Sequence, residues 1–361
     1  MTRTLQGFLL LGCLGFFACS NNSSNPPGGG NPTDTTHKVD TTTHTPTVDS
    51  VVYSFAVMGC NRLDAGDVSG SNPSTANLAQ LDRTLTDVMN LNPRLNYLFL
   101  VGDLILGKTT DTSVTGSELR GWLEHYRLSA LASLGITLVL VPGNHEFNDG
   151  TSSEVLEKQW VRTMAPNIVG SNGPSAGGAD NLPTDQSRLS YSFNFNDAHF
   201  VVLNSDPAEV GSSVPVKWVA QDLAAARSAG AKHLFLFDHK PAYDWTNDGA
   251  TSLTTANRDA LWATMTTNHA EALFSAHNHV YRRLHPSGAP WMVIAGNGGS
   301  PLESTLGADR NFGFTTVSVM KSGKVIEKAY ARDYGTNYND PSPVSQYPTT
   351  LRDSADISWK N

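Results

Sequence analysis

From residue 51 onward, short unbroken apolar runs alternate with segments whose apolar residues recur at helical spacing. Residues 53–58 predict a first strand. Leu78, Leu81, Leu85, Val88 and Met89 then predict a helix, with Ser74 and Thr75 as candidate caps. The runs at 97–101 and 136–141 lack alternation, as parallel strands covered on both faces do, and a helix over about 117–134 lies between them. Tyr191, Phe193 and Phe195 alternate before Asn196-Asp197, and a strand over 199–203 follows, which predicts a hairpin. A helix over 216–228, apolar runs at 234–237 and 272–274, and a second hairpin pairing 315–319 with 324–330 complete the pattern. The periodicity alone establishes mixed α/β, without internal repeats. The stretch 148–188, whose second half is nearly all Gly, Ser, Asn, Pro and Asp, predicts a long loop, functional or disordered.

The first fifty residues follow another rule. Arg3 supplies a short basic region and residues 8–18 an apolar core too short to span a bilayer, which reads as a secretory leader. Cys19 follows Ala18 and precedes Ser20-Asn21-Asn22, the setting of a bacterial lipoprotein site with Cys19 acylated; a leader that is simply removed is the alternative. The segment that follows is Asn, Ser, Thr, Pro and Gly with almost no apolar residues, hence a tether, and its His37 and His44 are solvated. The expected organisation is a leader over 1–18, a lipidated tether over 19–50, one domain over 51–335 and a tail over 336–361. That places the protein outside the cytoplasm, as an envelope lipoprotein or at the cell surface, with an N-terminal lipid anchor in a membrane. Cleavage at Cys19 leaves Cys60 as the only free thiol, so no disulfide framework supports the fold.

Chemistry-bearing residues cluster just after the apolar runs. Gly102-Asp103, Gly143-Asn144-His145-Glu146, His239-Lys240-Pro241 and His277-Asn278-His279 each stand at the end of such a run. In open α/β sheets ligands bind beyond the carboxyl ends of the strands, so these donors converge from loops distant in sequence. Asp103 alone would read as a helix cap and Asn144 alone as a turn residue; the joint order points to a metal site. Mixed oxygen and imidazole donors suit Zn²⁺, Mn²⁺ or iron rather than Ca²⁺.

The set resembles the calcineurin-like metallophosphoesterases, in their purple-acid-phosphatase-like branch. That family reads D-x-H or D-x-G, then GD, GNH[DE], a His before a proline, and GHxH. The block from Ala276 to Arg282 is close to the family's GHxHxYxR, and the resemblance spans roughly residues 51–330. It implies a four-layer α/β/β/α sandwich of two mixed sheets and the hydrolysis of phosphate esters by two metal ions about 3.5–4 Å apart. By resemblance Asp103 bridges the pair, Asn144, His239 and His277 complete the second metal's shell, and His279 reaches the first. His145 then points at the phosphate, stabilising the transition state or protonating the leaving oxygen.

The first family motif is altered. Gly59-Cys60-Asn61-Arg62 follows the first strand, with Cys60 at the Asp position and Arg62 at the His position. A guanidinium has no lone pair for a metal, but its planar fork suits phosphate. Cys60 is either a thiolate ligand or a small buried filler. The branch that lacks this His recruits a Tyr three residues after the GD aspartate; Leu106 stands there, which excludes a tyrosinate-coloured iron centre. One firm metal site and a possible second follow.

A formal charge of −8 argues against nucleic-acid partners. A metal cluster can still attract a small phosphate ester against that charge. The substrate expected is therefore a small-molecule phosphate ester, monoester or diester. A degenerate member that binds a phosphorylated ligand without turnover is the alternative, and the intact His145 speaks against it. Tyr243 and Trp245 either line the same mouth or are ordinary half-buried aromatics. His125, His199, His233, His269 and His285 fall outside the motifs, as structural or surface residues.

Overall fold

The computed structural model describes residues 49–147, 153–246, 251–288 and 290–359. The leader, Cys19 and nearly all of the tether lie outside the described residues.

Two six-stranded mixed sheets form the centre. One holds β1 (Val51–Met58), β2 (Tyr97–Val101), β3 (Thr137–Val141), β10 (Phe312–Met320), β11 (Val325–Arg332) and β12 (Thr350–Asp356), in the order β12-β11-β10-β1-β2-β3. The other holds β4 (Tyr191–Phe195), β5 (Ala198–Val202), β6 (His233–Phe237), β7 (Ala272–Ser275), β8 (Tyr281–Leu284) and β9 (Trp291–Ala295), in the order β4-β5-β6-β7-β9-β8. The strands β1, β2 and β3 run parallel, as do β5, β6, β7 and β9, so their carboxyl ends share an edge.

The strand period of two explains the unbroken apolar runs. Phe55, Val57, Phe99 and Val101 point between the sheets, where they meet Phe200, Phe235, Phe237 and Phe274. Phe99 stacks on Phe237 with ring centroids 3.8 Å apart. The alternate residues Ala56, Met58, Leu98 and Leu100 face α1 (Leu78–Met89), α2 (Thr112–Leu128) and α3 (Glu154–Met164). Leu234, Leu236 and Leu273 face α4 (Val216–Ser228) and α5 (Thr255–Thr267) on the far side. Helices, sheet, sheet and helices make the four layers.

Four boundaries differ from the sequence reading. Asn77, rather than Ser74 or Thr75, caps α1 by accepting from the Gln80 N–H at 3.3 Å. Thr75 instead accepts from the Leu106 N–H at 2.8 Å, tying α1's approach to the loop after β2. α2 starts earlier, at Thr112, because Asp111 accepts from the Ser113 N–H at 2.8 Å, and it gives way at Ser129 to a 3-10 turn over Ala130–Leu134. The stretch 148–188 contains α3, whose Leu156, Trp160 and Met164 are buried. Residues 336–359 are no detached tail. Strand β12 pairs with β11, Ile357 is buried in the inter-sheet core, and Arg83 and Gln80 bind backbone carbonyls of Ser342 and Asp340. An edge strand with few apolar residues carries no burial signal in sequence.

A polar latch joins the sheets beside β8. Arg283 donates to Glu327 at 2.7 Å and to Asp353 at 3.0 Å, Tyr281 donates to Asp353 at 2.9 Å, and the Thr315 hydroxyl donates to Glu327. Arg282, the last residue of the sequence block, instead lies over Trp245, its guanidinium 5.5 Å from the ring. Glu327 is fully buried and Arg283 mostly so. Arg283→Met should therefore lower unfolding free energy by about 3 kcal/mol, because an uncompensated buried carboxylate is left behind. Urea unfolding of both proteins at neutral pH checks this.

Candidate metal centre

The loops after β1, β2, β3, β6 and β7 converge at the shared edge. Close approach fixes the glycines. A Cβ on Gly102, whose φ is +86°, would lie 2.4 Å from His239 Nδ1, and one on Gly143 would lie 2.5 Å from Asp103 Oδ1. Cys60, Asp103 and His277 also adopt left-handed backbone, with φ of 56°, 55° and 63°. Such strain persists where surroundings over-determine it, typically at functional sites.

At Asp103 the group that fixes the backbone is Glu146. Its buried carboxylate accepts from the backbone N–H groups of Gly143 at 2.7 Å, Asp103 at 3.0 Å, Leu104 at 2.7 Å and Ile105 at 3.3 Å. It thereby ties the loop after β3 to the loop after β2. Sequence reading gave Glu146 no role; its place in the Gly143 to Glu146 block was the only signal. Asp238 was missed as well. Ser275 donates to it at 2.5 Å, linking the strand ends that carry His239 and His277, and nothing in the sequence marks the pair.

Around Asp103, itself buried, the donor atoms are close together. His239 Nε2 is 3.1 Å from Asp103 Oδ1 and 2.9 Å from Asn144 Oδ1. His277 Nδ1 is 3.0 Å from Asn144 Oδ1 and 3.2 Å from His239 Nε2. Metal–ligand bonds of about 2.0–2.2 Å place neighbouring ligand atoms about 2.9–3.5 Å apart, so this foursome has the spacing of one coordination shell. His239 Nδ1–H donates to the Val101 carbonyl at 2.8 Å, which turns its other nitrogen toward the cluster. Cys60, Asp103 and His279 make a second group, with ligand atoms within 4.8 Å of one another. His279 Nδ1–H is held by the Pro301 carbonyl at 2.6 Å. Both groups fit a transition metal by donor chemistry, and they share Asp103.

Two further side chains face Asp103 without joining either group. His145 donates from Nδ1 to the Leu106 carbonyl at 2.5 Å, and its Nε2 is 3.9 Å from Asp103 Oδ2. Arg62 Nε is 3.7 Å from Asp103 Oδ2 and has no hydrogen-bond partner, while its Nη1 reaches Leu63 O and Asp64, each at 3.3 Å.

The electrostatics favour an anionic Asp103 paired with a cationic His239, with His277 and His279 neutral. Burial would raise the Asp103 carboxyl, but the charges of His239, His145 and Arg62 hold it well below the usual range. Burial, then the charge on His239, keeps His277 well below an ordinary imidazole, and burial with Arg62 takes His279 to about 4. Burial would lower His239, yet Asp103 pushes it up to about 9. Burial and Asp103 push the Cys60 thiol well up.

All eight residues predicted from the domain sequence, Cys60, Arg62, Asp103, Asn144, His145, His239, His277 and His279, are thus gathered at one edge. The other histidines are elsewhere: His199 binds Asp222 at 2.7 Å, His233 binds Glu271 at 2.9 Å, and His125 binds Asp82 at 2.6 Å. His269 and His285 stack on Trp359 and Trp291. The Trp245 backbone N–H donates to Asn278 Oδ1 at 3.4 Å and its ring lies against Arg282, whereas Tyr243 packs edge-on against Trp262.

Oxygen and imidazole donors at the carboxyl ends of a two-sheet sandwich define a candidate transition-metal centre. The profile of the calcineurin-like phosphoesterases matches residues 54–281, and the chain belongs to that family. It is similar to the human serine/threonine-protein phosphatase CPPED1, 25% identical over 270 residues that cover 70% of this chain and 73% of the human one. The rat protein of the same name is 24% identical over 268 residues, with the same coverage. Among solved structures, a dimetal phosphatase from Danio rerio superposes with a TM-score of 0.52 at 14% identity, over 86% of this chain and all of that one. Purple acid phosphatase PPD1 of yellow lupin (Lupinus luteus) gives 0.53 at 14% identity over 85% of this chain, which spans 53% of the lupin enzyme. These structures bear out the fold. The protein is a phosphoesterase, an enzyme that hydrolyses phosphate esters with the help of metal.

Proposed function

We propose that Asp103, Asn144, His239 and His277 hold one transition metal, zinc, manganese or iron, and that Asp103, His279 and Cys60 form a second, weaker site. The spacing of 2.9–3.2 Å among the first four carries the reading. When bound, the metal lowers the pKa of a water and neutralises charge on the phosphoryl oxygens. The chain's own residues supply the rest. Asp103 anchors both positions, and Glu146 fixes the two loops that present Asp103 and Asn144. His145 keeps Nδ1–H on the Leu106 carbonyl, so Nε2 donates to the phosphoryl or leaving oxygen only as the doubly protonated imidazolium, a form that burial disfavours in the free site. Arrival of a phosphate anion beside Asp103 favours that protonated form. Arg62, where the family has a histidine, clamps phosphate oxygens with its fork.

The substrate is a small phosphate ester. Hydrolysis of p-nitrophenyl phosphate in heavy-oxygen water tests the reaction: the label should enter the released phosphate. Label in the nitrophenol, or no turnover with metal supplied, would overturn it. Arg62→Ala should raise KM about tenfold and leave metal content unchanged, since a guanidinium binds oxyanion and not metal. Parallel steady-state kinetics and metal analysis check that split.

The enzyme acts outside the cytoplasm, held at the cell envelope by acylation of Cys19. Residues 8–18, the Ala18-Cys19 junction and the polar segment behind it support this. Cys19→Ala should shift the protein from the membrane fraction to the soluble or uncleaved pool, and wild type should incorporate labelled fatty acid. Wild-type chain that never takes up the label would refute the anchor.

A further inference from the structure

A cavity of about 750 Å³ lies between α2 and α3, and none of its lining residues belongs to the metal centre. Arg120 and Arg127 enter it from α2 and Arg162 from α3. All three are exposed, and none has a hydrogen bond or ion pair to another described residue. Among the described residues Glu124 is the only acid in the lining, in a chain whose formal charge is −8. Thr112, Ser113 and Gln159 add neutral polar groups to the walls. An unneutralised trio of guanidiniums in one groove of an acidic protein is a local reversal of the molecule's field.

We propose that this groove docks an extended acidic peptide segment of a protein partner. Its dimensions select that occupant. From Thr112 to Arg127 the helix rises about 22 Å, at about 1.5 Å per residue. An extended chain covers that span with about six or seven residues. The volume likewise exceeds the needs of a single inorganic anion and matches that of a larger ligand. Spaced carboxylates meet spaced guanidiniums in paired hydrogen bonds, and the Gln159 amide oxygen accepts from the peptide backbone while its Nε2 stays on Thr163 at 2.8 Å. The inference stands apart from the hydrolytic reading, because no lining residue is placed in the reaction.

Fluorescence polarisation of a labelled hexaglutamate peptide with the full chain at low salt tests it. Saturable binding should weaken at least tenfold in the Arg120→Glu/Arg127→Glu/Arg162→Glu protein and disappear in 0.5 M salt. Arg127 and Arg162 stand in the last turns of their helices, where a cation favours the helix. The triple Arg→Gln protein is therefore measured too, and should show the same direction of change with a near wild-type melting temperature. Turnover of p-nitrophenyl phosphate should be unchanged in both. Unaltered peptide affinity in the variants would overturn the proposal. So would displacement of the peptide by inorganic phosphate at equal concentration, which would make the groove a small-anion site, or absence of binding to wild type.

Discussion

Asp103→Ala should strip the protein of most bound metal, lower turnover at least a thousandfold and cut thermal stability. One residue reaches all three because Asp103 belongs to both donor groups and balances the positive charge around it. Its carboxylate is buried, so removal leaves His239 and Arg62 facing each other across a desolvated gap, at a cost of about 3–5 kcal/mol. Loss of metal adds to that, since an ion that binds only the native state stabilises it by mass action. His277→Ala should follow the same course for metal, with a smaller loss of stability, because it removes a neutral ligand rather than the shared anion. Metal analysis and thermal melts of both variants check this; unchanged metal content in the pair would sink the ligand assignment.

His145→Ala should lower kcat by about a hundred- to ten-thousandfold while metal content stays at the wild-type level. The imidazole touches Asp103 only at 3.9 Å and is otherwise held by the Leu106 carbonyl, so no ligand is removed. Its loss deletes a proton donor at the phosphoryl oxygens. An ester with a very acidic leaving group should suffer less than one with a poor leaving group if His145 protonates the departing oxygen. Metal falling in step with kcat would instead make His145 a ligand. The contrast with Asp103→Ala separates proton transfer from metal binding at neighbouring positions.

The strands that carry the site were legible because both of their faces are covered, which leaves unbroken apolar runs ending in Gly, Asp, Asn or His. Strand β12 was not legible, since its edge position leaves most side chains half-buried or exposed. Helix α3 did leave a signal, Leu156, Trp160 and Met164 at steps of four, but it is short and followed by the Gly- and Ser-rich stretch. The ligand types were legible from the blocks themselves. Their support was not. Glu146 serves Asp103, Leu104 and Ile105 across some forty residues, and His279 depends on the Pro301 carbonyl. Such contacts to backbone atoms leave no trace in residue type. The direction of Arg62 also needed the fold: it points at Asp103, yet spends one nitrogen on Leu63 and Asp64.

The most direct measurement is a metal titration of chelator-stripped protein, read at once as bound metal per chain and as turnover of p-nitrophenyl phosphate. Turnover should rise in proportion to the first equivalent of zinc, manganese or iron, with weaker uptake beyond it. The Asp103→Ala protein should stay inactive throughout. Full turnover by stripped protein, or uptake and activity that survive the loss of Asp103, would contradict a phosphoesterase built on this centre.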